Sequence, residues 1–254
     1  MIVFVAGMSR AGSMWTYNIV RELYKQKKIA TLPDQIPLNE SNLISEAFSS
    51  DPSNAQVYCI KTHFNLPHPL PTKHQVKIIC NFRDVRDAGL SFNRFVHSDY
   101  STVINAMKGM MGATDYYLNT FKDIVMPIRF DSIQNEPSDT INRICEYLDL
   151  NVSDKTKADI ELKFSKKSVK KQIDKLSDIK VKEGEIKGAK YQNNFAAVSN
   201  LDGSYRVFDK ETSFQSNHIT SKKDGEWRDF FSEEQKKEIN DISKEWLSKY
   251  GFDI

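Results

Sequence analysis

Apolar and polar positions along the chain form blocks that predict strands and helices. Trp15, Ile19 and Leu23 recur at helical spacing, which predicts a helix over 13–27. Four short apolar runs rich in β-branched residues have the pattern of strands covered on both faces. They are IVFVA (2–6), QVYCI (56–60), VKIICNF (76–82) and IVMPIRF (124–130). The proline in the last run predicts that this strand lies at an edge or a terminus of the sheet.

Three further segments are predicted as helices. They are 86–96, then 136–150 with a proline near its start, and 232–251, which Ser232 caps and Gly251 stops. Strands and helices therefore alternate along the chain, and that order predicts an α/β fold with a central parallel sheet. No internal repeat and no long low-complexity linker divides the sequence. We therefore expect one domain over 1–254.

Length and composition exclude several classes of protein. The chain has 254 residues, a formal net charge of +2 and 39% hydrophobic residues, and a core of this size needs no disulfide or metal to hold it. The balance of charge argues against nucleic acid or a membrane surface as partner. The apolar start is too short for a signal peptide, and no run reaches the roughly 18 apolar residues of a membrane span.

The three cysteines, Cys59, Cys80 and Cys145, are widely spaced in apolar settings. This pattern predicts buried thiols of a reducing compartment, so we expect a cytoplasmic protein. The stretch 155–190 holds 12 lysines against 6 acidic residues. The simpler interpretation of this stretch is a solvated helix face. The alternative is a flap that supplies cations to a polyanionic ligand.

The segment GMSRAGSMW (7–15) connects the first predicted strand to the first predicted helix. A loop that enters a helix N-terminus directs backbone N–H groups and the positive end of the helix dipole at one point, and such loops bind anions. Gly7 and Gly12 have the spacing of a Walker A loop, but Gly-Ser-Met replaces Gly-Lys-Ser/Thr. An ordinary magnesium–ATP site is therefore not expected, and Arg10 is the only cation of the loop. A hydrolase elbow with Ser9 as nucleophile is a weaker match, because that elbow normally follows several strands.

Two more polar clusters follow predicted strands. Lys61 and His63 come just after the second strand, while Arg83 and Arg86 follow the third, with Ser91 on the next helix. Ligands of open α/β sheets bind at the carboxyl ends of the strands. A lysine there can neutralise a phosphate or sulfate, and a histidine with an ordinary pKa near ~6.5 can accept a proton from an attacking hydroxyl or amine. Arg83 and Ser91 could clamp a second phosphate, or nearby aspartates could hold the arginines in ordinary salt bridges.

The segment before the last helix and the other histidines are weaker candidates for site residues. The segment KKDGEWRDFF (222–231) places two lysines, a glycine and Trp227 before the last helix, and Trp227 alone is best interpreted as a core anchor. No spacing of histidines or cysteines resembles a metal site. Four histidines show no comparable placement and are expected at the surface or in the core: His68, His74, His97 and His218.

Taken together and in this order, these stretches resemble the sulfotransferases that use 3′-phosphoadenosine 5′-phosphosulfate (PAPS). The phosphosulfate loop of that family, Pro-Lys-Ser-Gly-Thr-Thr-Trp, aligns with SRAGSMW (9–15), which keeps Gly12, Ser13 and Trp15 and has Arg10 in place of the lysine. The family's Lys-Thr-His motif is unchanged at 61–63.

The later motifs of the family are matched in part. The 3′-phosphate signature Arg-Asn-Pro-x-Asp-x-x-x-Ser aligns with RDVRDAGLS (83–91), and RFDS (129–132) looks like the Tyr-Glu-Asp region with Phe130 as its aromatic residue. Arg-Lys-Gly-x-x-Gly-Asp-Trp resembles TSKKDGEW (220–227), which keeps only Gly225 and Trp227. Lys222, Lys223 or the lysine-rich stretch would then have to complete the 3′-phosphate site.

The resemblance covers nearly the whole chain and implies a P-loop-like three-layer αβα sulfotransferase domain. The implied reaction moves a sulfuryl group from PAPS to a hydroxyl or amine of a small-molecule acceptor, leaves PAP and uses no metal. The catalytic residues it implies are His63 as base, with Lys61 and Arg10. The cofactor-binding residues it implies are Arg10, Ala11, Gly12, Ser13, Met14, Trp15, Arg83, Ser91, Phe130, Lys222, Lys223, Gly225 and Trp227.

Two other functions remain as alternatives at this point. A P-loop small-molecule kinase shares the strand–loop–helix start but should have a lysine in the loop. A non-catalytic nucleotide-binding protein could use the same fold, although Lys61 and His63 argue against it. The acceptor is left undetermined, with a natural product as one candidate. A monomer and a homodimer are both compatible with the sequence.

Overall fold

The structure, a computed structural model of the whole chain, describes residues 1–35, 40–50, 56–188, 191, 193–219 and 223–254. The strands of its central sheet are β1 (Ile2–Gly7), β2 (Ala30–Leu32), β3 (Gln56–Lys61), β4 (Val76–Phe82) and β5 (Val125–Arg129). They lie in the order β2-β3-β1-β4-β5 and every pair is parallel. The central strand β1 is buried along its whole length, as its unbroken apolar run predicts.

Helices cover both faces of this sheet. They are α1 (Ser13–Gln26), α2 (Glu40–Ser49), α3 (Val85–Val96), α4 (Tyr100–Thr120), α5 (Phe130–Asn135), α6 (Pro137–Leu148), α7 (Asp154–Lys163), α8 (Lys166–Ser177), α9 (Trp227–Phe230) and α10 (Glu233–Lys249). Alternate residues of β1 face opposite layers, because successive side chains of a strand point to opposite faces. Val3 and Val5 belong to the core with α1 and α6, whereas Phe4 and Ala6 belong to the core with α2. This arrangement confirms the predicted three-layer αβα fold with a central parallel sheet.

Two antiparallel hairpins lie outside the central sheet. They are β6 (Val181–Lys182) with β7 (Glu185–Ile186), and β8 (Phe195–Ser199) with β9 (Tyr205–Asp209). The sequence patterns predicted neither hairpin, and they also missed β2. A strand of three residues, half-buried at best, carries too few apolar positions to show a period.

Most of the predicted elements are confirmed with small shifts at their ends. The fourth predicted strand is β5, and it lies at the edge of the sheet as Pro127 indicated. The last helix begins after Ser232, which forms a capping box with Gln235. The helix ends before Gly251, whose φ of 68° is the left-handed conformation of a helix stop.

The lysine-rich stretch forms α7, α8 and the β6–β7 hairpin. Helix α8 buries Val169, Ile173 and Leu176 against the core and leaves its lysines outward, where Lys170 pairs with Asp174 at 2.7 Å. This geometry agrees with a solvated helix face. The three cysteines are free, buried thiols, as predicted, and burial raises the pKa of Cys59 and of Cys80 to about 12.

Gly7 ends β1 at a point where no side chain fits. Its φ is +98°, and a Cβ atom would lie 2.7 Å from the backbone oxygen of Asn81. We expect Gly7→Ala to lower the free energy of unfolding by about 2 kcal/mol or more, since strained backbone and a backbone clash add together.

Urea unfolding followed by circular dichroism measures this loss. Gly109→Ala is the matched control, because Gly109 lies in α4 with open space around the added methyl group. That variant should gain roughly 0.5 kcal/mol. Equal stability of the two variants would contradict the assigned role of Gly7.

Candidate active site

The loop between β1 and α1 lies at the carboxyl end of the sheet. Its conformation depends on two residues with left-handed φ, Arg10 at 63° and Gly12 at 84°. The backbone N–H of Met8 is fixed by the carbonyl of Asn81 at 2.9 Å, and α1 starts directly after Gly12. The first N–H groups of a helix have no partner within the helix, so this loop presents donors and a positive dipole end at the edge where β1, β3 and β4 finish.

Gly12 is tightly surrounded on the side of α5. A Cβ atom there would lie 3.0 Å from the Phe130 ring and 2.8 Å from Ile133. Phe130 in turn lies under the guanidinium of Arg83, 4.2 Å from ring centre to Cζ. The structure thus brings the predicted aromatic position and the predicted 3′-phosphate arginine next to the loop.

His63 follows β3 and faces the same loop. Its Nδ1 is 3.1 Å from the carbonyl oxygen of Gly7, while the backbone N–H of Thr62 continues the ladder to Val5. A carbonyl oxygen can only accept, so the contact assigns the proton to Nδ1 and the lone pair to Nε2. A histidine held this way has the tautomer that a general base needs.

Arg10 connects three elements through its side chain. Its Nε donates to Ser91 Oγ at 3.1 Å, its Nη2 donates to the backbone oxygen of His218 at 2.6 Å, and its Cζ lies 4.1 Å from the centre of the Phe95 ring. Burial, followed by the charges of Arg83 and Arg206, lowers the pKa of Arg10 to about 9. This shift means that the positive charge on Arg10 is unfavourable where it lies, and an anion bound beside it would relieve that cost.

Arg83 is almost completely enclosed, with 4% of its surface exposed. Its Nη2 pairs with Asp224 at 2.7 Å and lies 3.9 Å from Asp87, and its Nη1 approaches the backbone oxygen of Arg10 at 3.4 Å. Burial lowers the pKa of Arg83, and the neighbouring aspartates oppose that shift. The structure therefore shows the salt bridges of Arg83, and its part in an anion site stays a prediction.

Asp87 holds the Gly225 segment, which precedes α9 and α10. Both of its carboxylate oxygens accept the backbone N–H of Gly225 at 3.0 Å. Burial raises the pKa of Asp87, while that N–H and Arg83 act in the opposite direction. The sequence indicated Asp87 as a motif match and as a possible salt-bridge partner of the arginines, and the structure shows that it also ties α3 to the Gly225 turn.

The remaining predicted cofactor residues differ in their placement. Ser13 and Met14 are buried in the first turn of α1, and Trp15 packs partly buried against the core. Lys223 is exposed and pairs with Asp229 at 3.2 Å, and Lys222 lies outside the described residues. These observations leave the completion of the 3′-phosphate site by a lysine as a prediction.

Trp227 has the character of the core anchor that its sequence context indicates. Only 3% of its surface is exposed, and its ring contacts the guanidiniums of Arg86 at 4.5 Å and Arg228 at 4.6 Å. Little of the ring surface is accessible to a ligand in this structure. The cofactor-binding role implied for Trp227 therefore stays a prediction that the geometry does not support.

The sequence analysis missed a group brought in by the β8–β9 hairpin and the residues after it. Arg206 lies 4.4 Å from the Phe95 ring, on which Arg10 also packs, and donates from Nε to Gln215 at 2.5 Å. His218 contacts the Phe95 ring with 5.2 Å between centroids. His218 was expected at the surface or in the core, and the structure places it beside Arg10. No local signal identifies these residues, because their placement follows from tertiary folding.

Metal ligands and membrane-spanning helices can be assessed for the described part of the chain. Within those ranges, no group of three or more His, Cys, Asp or Glu side chains could hold a metal ion. None of the helices found there is both long and apolar enough to cross a membrane.

Comparison with known proteins identifies the family. A model of the sulfotransferase domain matches residues 2–251. The protein is a member of the sulfotransferase family. This match confirms the resemblance to the PAPS-dependent enzymes and the assignment of sulfuryl transfer, and it does not support the kinase alternative.

Solved structures agree with the fold. Retinol dehydratase, in complex with androsterone and the inactive cofactor PAP, has a TM-score of 0.63 and 17% identity, over 100% of this chain and 82% of its own. The mouse sulfotransferase SULT7A1, complexed with PAP, has a TM-score of 0.61 and 13% identity, over 97% of this chain and 84% of its own. At such identities the likeness shows the fold alone. No curated protein matches the sequence significantly.

The role of Asp87 in this sulfotransferase can be tested by stability. Asp87→Asn replaces one acceptor oxygen with an amide that donates, so the Gly225 N–H and Arg83 lose their buried anionic partner. We expect the free energy of unfolding to fall by about 2 kcal/mol. Denaturant titration measures it, with Asp229→Asn as control, because Asp229 pairs with Lys223 at the surface and should matter by less than about 0.5 kcal/mol. Equal losses in both variants would contradict the proposed link.

Proposed function

We propose that this chain, as a single domain over 1–254, transfers a sulfuryl group from PAPS to a small-molecule acceptor with His63 as the base. The observation that carries the proposal is the convergence of Arg10, His63, Arg83 and Ser91 at the carboxyl ends of β1, β3 and β4. That edge is where parallel α/β sheets bind ligands.

The side chains present fit a doubly anionic nucleotide. The α1 N-terminus and Arg10 offer donors for a phosphosulfate, and Arg83 with Ser91 offers a second anion position on α3. The lowered pKa of Arg10 agrees with such a site, because burial, followed by the charges of Arg83 and Arg206, makes its positive charge unfavourable and a bound anion would relieve that cost. Phe130 beside Arg83 provides an aromatic surface at the second anion position.

PAPS supplies the sulfuryl group: the acceptor oxygen or nitrogen forms a bond to sulfur while the bond from sulfur to the 5′-phosphate oxygen breaks, leaving PAP. His63 takes the acceptor's proton on Nε2, since its Nδ1 is engaged with Gly7. Arg10, Lys61 and the first N–H groups of α1 stabilise the negative charge that develops on the transferred oxygens and on the leaving phosphate.

The solved relatives bear on the acceptor, and the cysteines bear on the cellular compartment. Both solved structures are complexes with PAP, and retinol dehydratase also holds androsterone. We infer a small-molecule acceptor here, with a natural product as one candidate. The three buried free thiols support a reducing, cytoplasmic setting. Monomer and homodimer remain equally compatible with these observations.

His63→Ala tests the base. We expect the rate of transfer from PAPS carrying radiolabelled sulfur to fall by about 10²–10⁴-fold, because no other described side chain is held in the same contact with the loop. The affinity for PAP, measured by calorimetry, should stay within about threefold of the wild-type value.

His74→Ala is the control for a lost imidazole, since His74 precedes β4 at the opposite end of the sheet. It should leave both rate and affinity unchanged. Transfer by His63→Ala at the wild-type rate would remove His63 as base.

Arg10 gives a graded test of charge stabilisation. Arg10→Lys keeps the charge and should retain substantial turnover, whereas Arg10→Ala should lower kcat by about 100-fold and weaken PAP binding much less. Single-turnover measurements and PAP calorimetry separate the two effects. Equal turnover in all three proteins would exclude Arg10 from the mechanism.

A further inference from the structure

His218 is built into the reaction centre although it belongs to none of the family motifs. Its backbone oxygen accepts the Nη2 hydrogen of Arg10 at 2.6 Å. Its ring is held between two aromatic side chains, at 5.2 Å from Phe95 on α3 and 6.5 Å from Phe214 after β9. Backbone and ring are thus fixed independently, which gives the imidazole one defined position beside Arg10.

The ring of His218 also has an unexplained polar atom. Its Nδ1 is buried and has no hydrogen-bond partner among the residues that the structure describes. Buried polar atoms of side chains are nearly always satisfied, and the exceptions concentrate where a ligand, a water or a reacting group belongs. An imidazole held by aromatic rings with a nitrogen unsatisfied is therefore a candidate contact for a molecule that the chain binds.

Burial and the surrounding positive charges keep the imidazole of His218 neutral. Burial is the largest cause that holds its pKa well below the usual range, and the charges of Arg10, Lys61, Arg206 and His63 act in the same direction. These groups approach from the phosphosulfate loop, from the end of β3 and from β9, so positive charge surrounds the ring on several sides. Arg10, which donates to the backbone oxygen of His218, belongs to the loop that follows Gly7, and the carbonyl of Gly7 contacts His63, so His218 and the proposed base border the same loop.

We propose that His218 positions the acceptor, by a hydrogen bond from its imidazole to the reacting hydroxyl next to His63. This inference rests on the proposed function of the same site. A neutral imidazole offers one donor and one acceptor nitrogen, which suits a hydroxyl that must give its proton to one partner and be oriented by another. Because its surroundings disfavour a proton on His218, that residue does not compete with His63 for the proton released by the acceptor.

The reaction itself narrows the class of acceptor. A protonated amine has no lone pair with which to attack sulfur, so a basic amine would have to react in its neutral form, which is the less abundant one at neutral pH. A hydroxyl compound without positive charge carries no such cost. Neutral pH therefore favours transfer to oxygen over transfer to a basic amine.

The test compares four variants of the full chain with the wild type. His218→Phe keeps a ring against Phe95 and Phe214 and removes both nitrogens, while His218→Asn and His218→Gln restore a polar atom near Nδ1 and Nε2 respectively. His74→Phe is the matched control, since His74 lies at the other end of the sheet. The acceptor probes are 4-nitrophenol, benzyl alcohol and benzylamine. Hydrolysis of PAPS measures transfer to water, and calorimetry with PAP measures the affinity for the nucleotide.

We expect His218→Phe to lower kcat/KM for the hydroxyl probes by about tenfold or more, the value of one lost hydrogen bond to a reacting group. PAP affinity and the melting temperature should stay at their wild-type values, and Asn or Gln should recover part of the loss. Benzylamine should be transferred more slowly than benzyl alcohol at neutral pH. The acidic limb of the pH profile, which reports the base, should keep its midpoint in His218→Asn.

Each failure has a separate meaning. Wild-type kcat/KM in His218→Phe, or a parallel loss of PAP affinity, would overturn the assignment of His218 while leaving sulfuryl transfer intact. Disappearance of the acidic limb in His218→Asn would make His218 the base and overturn its positioning role. If the wild-type chain turned over no PAPS, even with water, the proposed function would fail and this inference with it. If His218→Phe does not fold, the Asn variant and its pH profile decide the question.

Discussion

The constraint on which the site depends is the burial of positive charge. Arg83 and Arg206 both lie within electrostatic reach of Arg10, and taking a cation out of water is costly unless partners compensate. The protein meets this cost in two ways. Arg83 is held against the carboxylates of Asp87 and Asp224, whereas Arg206 donates to neutral amide and carbonyl oxygens and packs on Phe95.

This division separates a cation that the protein's own acids hold in place from one on which burial weighs most. Arg83 is fixed by acids on both α3 and the Gly225 segment, so its position survives whether or not an anion is present. Arg10 donates to the hydroxyl of Ser91 and to the carbonyl of His218, and burial, followed by the charges of Arg83 and Arg206, lowers its pKa to about 9. An anion bound at the α1 N-terminus would therefore interact with Arg10 more favourably than with Arg83. The proposed roles follow this difference, with Arg83 as an anchor and Arg10 at the transferred group.

The elements predicted from sequence are those whose signals are local. β1, the glycine-containing loop and α1 were predicted because a buried strand, a turn and an amphipathic helix each leave a pattern within a few residues. His63 and Arg83 were predicted because they follow such strands. Arg206 and His218 were not singled out as site residues, because they meet Phe95 only after β8 and β9 fold back toward α3. Their neighbours in sequence give no hint of this contact.

The substitution of arginine for the family's lysine at position 10 is connected with that missed group. A lysine is a single point of charge, whereas a guanidinium has a flat face and donors along a fixed fork. Arg10 uses both properties: its face packs on Phe95, and separate nitrogens donate to Ser91 and to the backbone of His218. A lysine ammonium has no planar face for the ring and no fork that reaches both oxygens in this geometry. Arg10 thereby joins the loop between β1 and α1 to the segment that carries His218, so the proposed nucleotide site and the proposed acceptor contact share one side chain.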